Sequence, residues 1–394
     1  MIMLKLMIKI SKKYLFAALF LFIAFTGYAQ ELANPPITAV PSLTIAPDAR
    51  GGGLGDVGAA TLPDLYSQHW NPAKYAFLET KAGISMSYTP WLRKIVKDIA
   101  LVYASGFYKF GNEDNQAISA SIRYFSVGDI PEVDLNGQFG SVVSPYEMAF
   151  DVAYSRKLTQ TFSGGVAMRY IRTDYTTSVD DGTTPGNAFA ADISGYNESY
   201  VMIGSAESLL GLGFNISNIG SKISMDGGAN SYFLPTNMRL GASLTYPLDE
   251  YNTLAFSMDL NKLLVPSRPV RGDEESLEDF QARQREVADT SPIRGIFKSF
   301  TDSPYGFRGE LEEIAWSAGM EYAYNNQFMV RGGYFHESER QGNRKYFSFG
   351  AGFKMNVFQL DAAYLISTAE SNPLDQTIRF SLGFDMDGLR NLFK

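Results

Sequence analysis

The chain has 394 residues, contains no cysteine and carries a formal net charge of −8. The missing cysteine excludes disulfides, thiolate catalysis and cysteine metal sites, and the acidic balance argues against a nucleic-acid partner. The length suffices for one large domain, and aromatic residues are abundant, with 28 Phe, 23 Tyr and 3 Trp.

Residues 1–29 have the pattern of a secretory signal peptide. Four lysines precede an apolar core at Leu15–Phe25, and Gly27-Tyr28-Ala29 has the small-x-small form of a cleavage site. The alternative is a membrane anchor helix, but the apolar run is short for one. We therefore expect a mature chain that starts at Gln30, with a charge of −12 once the lysines are removed.

The next segment, residues 30–80, is rich in Gly, Pro and Ala and shows neither helical nor strand periodicity. A long series of alternating segments follows it directly. We interpret residues 30–80 as a plug, or hatch, inside a β-barrel. The candidate plug residues are Asp48, Arg50, Gly53, Gly55, Asp56, Gly58, Trp70, Asn71 and Pro72.

From residue 81 to residue 386, roughly fourteen segments of about ten residues alternate in side-chain character, which predicts an all-β fold: a transmembrane antiparallel β-barrel of about 14 strands. One face is large and aromatic, and the other is small or charged. A soluble sandwich also alternates, but its core could not bury that many charges, whereas a lumen can hydrate or pair them. The expected lumenal charges are Arg123, Asp151, Arg169, Arg239, Asp259, Glu321, Arg331, Asp361 and Arg379.

The connections between these segments alternate in length. Odd connections such as Ser126–Pro145 and Leu263–Glu312 are long, and even ones such as Gly111–Asn115 and Tyr324–Asn326 are short. A barrel with both termini in the periplasm has long odd connections outside and short even turns inside. Tyr196–Ser208 is the exception, in a region (188–208) where the strand register is not fixed by the sequence.

The longest connection, residues 263–312, is expected to be a large extracellular loop with a helix at Glu274–Val287. A solvated loop and a partner-binding element both fit its composition. A second short helix is expected on the rim at 91–96. The candidate partner-binding residues in the outer loops are Trp91, Leu92, Phe139, Tyr232, Phe233, Leu277, Phe280, Ile296, Phe297 and Phe300.

The last expected strand, Thr377–Met386, ends its alternation at Phe384, as a C-terminal recognition strand of an outer-membrane protein does. Residues 387–394 form a tail, which departs from barrels that stop at a terminal aromatic residue.

The remaining motifs give little support for a nucleotide-binding, metal-binding or catalytic site. Gly53-Leu54-Gly55-Asp56-Val57-Gly58 matches a dinucleotide fingerprint but lacks the strand–turn–helix context. We expect these glycines to let the backbone pass close to the barrel wall. His69 and His336 have no ligand partner at helical spacing. We therefore expect no enzyme activity, no cofactor and no metal.

The lumenal arginines fit two roles. They could line a conduction path, or they could hold the plug against the wall through acidic plug residues. The ordered plug favours the second role. The arginines concerned are Arg123, Arg169, Arg239, Arg331 and Arg379, and the expected plug partners are Asp48, Asp56 and Asp64.

The plug also carries a resemblance to a known family. Ala49–Asp56 followed by Trp70-Asn71-Pro72-Ala73 resembles the hatch of FadL-like long-chain fatty-acid transporters. The fuller string from Pro41 to Phe77 is most similar to the PorV family, the FadL-like outer-membrane shuttle proteins of the type IX secretion system of Bacteroidetes. Asn218-Ile219-Gly220 and Lys298-Ser299-Phe300 support this resemblance.

The resemblance implies a function that composition alone does not. Proteins of this family bind the C-terminal domain of secreted cargo at an SprA-type translocon and carry it to a surface attachment complex that contains the sortase-like PorU. Outer-membrane lipid and lipopolysaccharide would surround the barrel. The alternative is a FadL-like transporter of long-chain fatty acids or other hydrophobic small molecules.

Overall fold

The structure is a computed structural model that describes residues 34–91, 98–133, 139–176, 182–355, 357–369, 375–386 and 388. The expected signal peptide lies outside the described residues. So do Leu92, all of the expected rim helix except Trp91, and all of the expected tail except Gly388.

Fourteen antiparallel strands of the described chain form one closed barrel, and two further strands form a hairpin in one connection. Each barrel strand pairs with its neighbours along the chain, and the first strand pairs with the last. The predicted 14-stranded all-β barrel is confirmed. The strands are β1 Ala82–Pro90, β2 Ala100–Phe110, β3 Gln116–Ser126, β4 Ile130–Val133, β5 Phe139–Val143, β6 Tyr146–Lys157, β7 Phe162–Asp174, β8 Gly186–Ile203, β9 Ala206–Gly220, β10 Asn237–Pro247, β11 Asn252–Leu263, β12 Ile314–Tyr324, β13 Phe328–His336, β14 Lys345–Lys354, β15 Phe358–Ser367 and β16 Ile378–Asp385.

The barrel wall follows from the two-residue period of the strands, which sends alternate side chains to opposite faces. On β1, Met86 points outward and is exposed, while Ser87 points inward and is buried. The register with β16 puts Met86 beside Leu382 and Ser87 beside Ser381. The two serine hydroxyls lie 2.7 Å apart. The wall therefore has an apolar outside and a polar inside, as the sequence predicts.

All long connections lie at one end of the barrel, which we call the outer end, and the short turns lie at the inner end. The sequence-based expectation of a long connection at 196–208 is wrong, because β8 and β9 continue to a tight turn at Gly204-Ser205. β7 pairs with β8 only as far as Asn197, so this hairpin extends beyond the wall. Tyr200 and Met202 are exposed there, which explains why they do not follow the alternation of a buried strand.

Two short helices, α1 (Ala49–Gly53) and α2 (Ser67–Trp70), lie in a segment that we call the lumenal segment, residues 39–78. Three helices lie in the longest outer connection: α3 (Leu277–Asp289), α4 (Pro292–Lys298) and α5 (Gly306–Glu312). Short 3-10 helices occupy Pro41–Thr44, Pro72–Phe77, Asn112–Asp114 and Glu339–Gln341. None of the helices in the described ranges is both long and apolar enough to cross a membrane.

Helix α3 begins at a side-chain cap. The hydroxyl of Ser276 accepts a hydrogen bond from the Asp279 backbone N–H at 3.1 Å, which satisfies one of the free donors of the first turn. The helix expected at 274–287 is therefore present, shifted by two to three residues. None of its residues is buried, so it is a solvated helix.

The lumenal segment crosses the barrel from end to end. Its first residue, Ala39, lies at the outer end and donates its N–H to the carbonyl of Phe233 in the β9–β10 connection at 2.9 Å. The preceding residue, Thr38, forms a β-bridge with Phe233. At the inner end, the Lys109 ammonium donates to the Leu78 carbonyl, and β1 starts four residues later. The chain thus passes through its own barrel before it begins to build the wall.

Candidate functional site

A chain of alternating charges crosses the middle of the lumen. Arg50 of α1 donates to Glu321 of β12 at 3.0 and 3.2 Å and to Asp64 at 2.5 Å. On the wall, Arg331 donates to the same Glu321 and, at 2.5 Å, to Asp361. All five groups are buried or nearly so. Because each charge has an opposite partner, the network tolerates burial that a single charge would not.

Further polar contacts fix the lumenal segment to three other strands of the wall. The Asp259 carboxylate on β11 accepts from the backbone N–H groups of Gly58 and Ala59 at 2.8 and 3.0 Å. Arg379 on β16 donates to Asp56 at 2.6 Å, and the Tyr346 hydroxyl donates to the same carboxylate. Both the backbone and the side chains of the segment are therefore held by the wall.

Each residue of the Trp70-Asn71-Pro72 string has a structural role. The Trp70 indole N–H donates to Asp48 at 2.5 Å. The Asn71 amide donates to the carbonyls of Ala59 and Gly195 at 2.8 and 2.9 Å, which joins two parts of the chain to β8. Pro72 opens the following 3-10 helix, where its missing N–H costs nothing.

Two glycines of the expected plug lie where a side chain would collide. Gly55 has a φ of +78°, and a Cβ there would lie 2.7 Å from the backbone nitrogen of Tyr334. A Cβ on Gly58 would lie 2.2 Å from Trp70. These contacts account for the glycines of the G-x-G-x-x-G match by close backbone passage.

The expected partners of the lumenal arginines need correction. Asp48 and Asp64 do not reach the wall: Asp48 accepts from Gly51 and Trp70 within the segment, and Asp64 binds Arg50. Among the arginines, Arg169 binds the wall residues Asp151 and Asp192, and Arg331 likewise binds wall carboxylates. The wall carboxylates that hold the segment, Glu321, Asp259 and Asp361, were identified only as lumenal charges. Their inward positions were visible in the alternation, but their partners were not.

The two histidines have aromatic and polar neighbours. His69 Nδ1 lies 3.0 Å from the Arg123 guanidinium, and its ring packs edge-on against Trp70. His336 stacks on Trp316 with ring centroids 5.3 Å apart. Across the part of the chain that the structure describes, no group of three or more His, Asp and Glu residues could hold a metal ion.

The outer end presents an apolar surface on α4 and α5. Exposed side chains at helical spacing form what we call the α4–α5 patch, in which Phe297 is 74% and Phe307 79% exposed. Sequence reasoning missed the α5 half, although Phe307 and Leu311 have the i, i+4 spacing of a helix face. The patch consists of Ile293, Phe297, Phe300, Phe307 and Leu311.

The other candidate loop residues differ in their exposure and contacts. Phe233 is partly buried, and a Cβ added to Gly295 of α4 would lie 3.3 Å from its ring, so two loops come close together there. Tyr232 and Leu277 are exposed. Trp91 packs against Phe125 instead of standing free, with ring centroids 6.3 Å apart. Phe280 and Ile296 are partly buried, and the Phe139 side chain lies outside the described residues.

The longest outer connection is tied to the barrel at both ends. Lys262 binds Glu310 and Glu313 at 3.0 and 2.6 Å. The Ser267 hydroxyl contacts Asp302 at 3.0 Å and Glu313 at 2.6 Å. Burial raises the pKa of Asp302 and of Glu313 above their ordinary values. The helices therefore rest on a polar base that brings the two ends of the connection together.

A comparison with protein families gives one decisive match. The model of the type IX secretion system protein PorV matches residues 29–270, well over half of the chain. The chain belongs to this family. A comparison with curated proteins finds no match.

Solved structures similar to this PorV-family chain are FadL-like barrels. A FadL homologue from Pseudomonas aeruginosa has a TM-score of 0.44 and 12% identity and covers 90% of this chain and 100% of its own. The toluene transporter TodX from Pseudomonas putida has a TM-score of 0.47 at 10% identity, with 90% and 98% covered. A deletion mutant of the TodX monoaromatic hydrocarbon channel has a TM-score of 0.50 at 12% identity, with 86% and 98% covered. At this identity, the likeness shows a shared fold alone.

The family and the barrel together make this chain an outer-membrane component of the type IX secretion system. In outer-membrane barrels the long loops are extracellular and the short turns periplasmic. The outer end of this PorV-family barrel is thus extracellular, and the α4–α5 patch faces the cell exterior.

Proposed function

We propose that this PorV-family barrel carries secreted proteins along the cell surface. It binds the C-terminal domain of cargo at an SprA-type translocon and delivers the cargo to the attachment complex that contains PorU. The setting is the outer membrane of a member of the Bacteroidetes. The role is one of binding and transfer, with no chemical step.

The observation that carries this proposal is the filled lumen beside the exposed extracellular patch. The charges that cross the lumen, from Arg50 to Asp361, are paired and buried. We infer that the lumenal segment acts as a plug and that the lumen is not an open route for folded or unfolded protein. We therefore assign cargo binding to the outer surface, where apolar side chains are exposed.

The α4–α5 patch has the chemistry of a protein-binding surface. Protein interfaces depend on a few large apolar and aromatic anchors surrounded by polar groups. Phe297 and Phe307 are such anchors, and Arg308 and Glu312 border them with an ion pair at 3.0 Å. We propose the outer loops at 263–312, 126–145 and 221–234 as the cargo-binding surface.

Transport of a hydrophobic small molecule is the competing function. It would need a continuous apolar path through the lumen, and the paired charges around Glu321 interrupt such a path. The two functions make different predictions for what the protein binds in its native membrane.

The test is extraction of the tagged protein from its own outer membrane in mild detergent, followed by mass spectrometry. Recovery of a large barrel translocon, or of secreted proteins that share one C-terminal domain, supports the carrier. Recovery of the barrel with bound fatty acid alone contradicts it.

A deletion sharpens this test. Because Ser267 already contacts Asp302, a short Gly-Ser linker can replace residues 268–301 without stretching the barrel. We expect a folded barrel, seen as heat-modifiable mobility in gels, that no longer releases cargo. As a control, a β8–β9 hairpin shortened on the periplasmic side, beyond Asn197 where it no longer pairs with β7, should leave secretion intact. Normal secretion by the loop-deletion variant would contradict the assignment of cargo binding to this connection.

A further inference from the structure

A cavity of about 250 Å³ lies above the lumenal segment at the extracellular end. Pro36 and Thr38, which precede that segment, line it together with residues of the outer loops. It is smaller than the roughly 300–1,000 Å³ of pockets that hold drug-sized ligands. The cavity therefore fits a chemical group or a chain end, not a folded domain.

The charges that line this cavity are paired, with one exception. Glu313 binds Lys262 and Glu337 binds Arg344, each at 2.6 Å. Asp56 binds Arg379, and Arg169 binds two wall aspartates. The remaining charge is that of Arg239.

Arg239 is held in position but left incompletely bonded. Its Nε donates to Asn261 at 2.7 Å, and its guanidinium lies 4.5 Å from the Trp70 ring. The nearest carboxylate oxygen, Asp259 Oδ2, lies 4.0 Å from Nε, at the limit of an ion pair, and this same oxygen already accepts two backbone N–H groups. Neither terminal nitrogen of Arg239 has a hydrogen-bond partner among the described residues.

The surroundings of Arg239 suit a small anionic group with hydrogen-bonding capacity. Asn237 and Asn261 line the cavity beside it. The buried Nε2 of His69, which also lines the cavity, has no partner in the described part of the chain. The two terminal nitrogens of the guanidinium form one free edge, which matches the fork of a carboxylate.

We propose that Arg239 binds the C-terminal carboxylate of an incoming polypeptide inside this cavity. The inference rests on the proposed function, because a cargo recognised through its C-terminal domain brings a free carboxylate to the extracellular face. The cavity would hold the last residue of that chain while the outer loops hold the domain.

The direct test uses the purified full-length protein in detergent and two fluorescent pools of mixed-sequence pentapeptides. One pool has free C-terminal carboxylates, and the other is amidated. We expect the acid pool to bind roughly tenfold to a hundredfold more tightly, the range of a charge-assisted hydrogen bond. Arg239→Gln should remove the difference, and Arg239→Lys should keep part of it.

The controls separate the sources of the effect. Arg172→Gln changes an arginine on β7 that bonds to Tyr146 and does not line the cavity, and it should bind like the wild type. Sodium acetate and phosphate should compete with the acid pool only at far higher concentration. If acetate or phosphate binds at Arg239 as strongly as the acid pool does, or if the two pools bind equally, the inference is overturned.

A cellular measurement distinguishes this inference from the proposed function. If deleting the whole gene leaves secretion normal, the proposed function fails. If the deletion blocks secretion but Arg239→Gln secretes normally and retains its barrel fold, only the role of Arg239 fails.

Discussion

Arg379, on the last barrel strand, donates a 2.6 Å hydrogen bond to Asp56 of the lumenal segment, although 323 residues separate them. β16 closes the barrel against β1, so this one strand both completes the wall and contacts what lies within it. The stability of the barrel and the position of the lumenal segment are therefore linked.

Replacing Asp56 by Asn should loosen this link. The substitution leaves Arg379 buried without its anion, which costs about 3 kcal/mol of unfolding free energy. Urea titration followed by heat-modifiable mobility checks this value. Planar-bilayer recording should show rare openings in the variant and none in the wild type. If the urea midpoint is unchanged and the bilayer shows no openings, the Asp56–Arg379 pair does not hold the lumenal segment in place.

Glu321→Gln should be more damaging than Asp56→Asn. Glu321 faces two arginines, Arg50 and Arg331, so its neutralisation leaves two buried cations with less compensation. We expect a loss of about 3–5 kcal/mol in the same urea titration. Glu339→Gln, which removes a charge from an exposed extracellular ion pair with Lys345, is the control and should cost less than about 1 kcal/mol. Equal effects of the two changes would contradict the assigned network.

Gly55→Ala tests the close passage of the segment past β13. Alanine there meets both a positive φ and a backbone 2.7 Å away. Gly228→Ala is a matched control, since Gly228 has a φ of +100° but open space around it. The control should lose about 1–2 kcal/mol of unfolding free energy from its backbone conformation alone. Gly55→Ala should lose clearly more, because its methyl group also meets the β13 backbone. Thermal unfolding of the two variants gives the comparison. Equal losses of unfolding free energy would mean that β13 moves to make room for the added methyl group.

The extracellular turn before Tyr232 should survive mild acid. Hydrogen bonds from Asn230, the backbone N–H first, lower the pKa of Asp226 to about 2. A lowered carboxyl pKa means that the stabilisation is complete above the ordinary value near 4 and is lost as the pH falls through about 2. Hydrogen exchange at Gly228 and Asn230 should therefore remain slow at pH 3, after correction for intrinsic rates. Asp226→Asn should exchange faster at both pH 3 and pH 7; loss of protection in the wild type at pH 4 would contradict the assignment.

The double substitution of Phe297 and Phe307 by Ser should weaken cargo capture without unfolding the barrel. Both side chains are almost fully exposed, so their removal costs the fold little, whereas aromatic anchors dominate binding energies. Co-purified cargo, measured by quantitative mass spectrometry, should fall at least tenfold. Leu248→Ser, at an exposed position in the periplasmic turn between β10 and β11, is the control and should change little. Undiminished capture would place the binding surface elsewhere.

The sequence was sufficient to predict the barrel, because alternation is a local property of each strand. It also identified the inward charges, since Glu321 and Asp259 fall on the polar face of their strands. It could not predict their partners: Arg50 and Glu321 lie 271 residues apart, and only the closed barrel brings them together. The β8–β9 hairpin was misjudged because it leaves the wall, where the pattern of burial no longer applies. Phe307 was missed because its helix lies within a connection whose composition is polar.

The path of the lumenal segment also limits how this protein can be assembled. The chain runs through the ring from the cell surface to the periplasm, and the ring closes between its first and last strands. Because the wall contacts this segment on several strands, we expect the segment to take its place while β1 and β16 are still apart. The seam between β1 and β16 would then be the last to close, and a factor that delays this closure would give residues 39–78 time to pack inside.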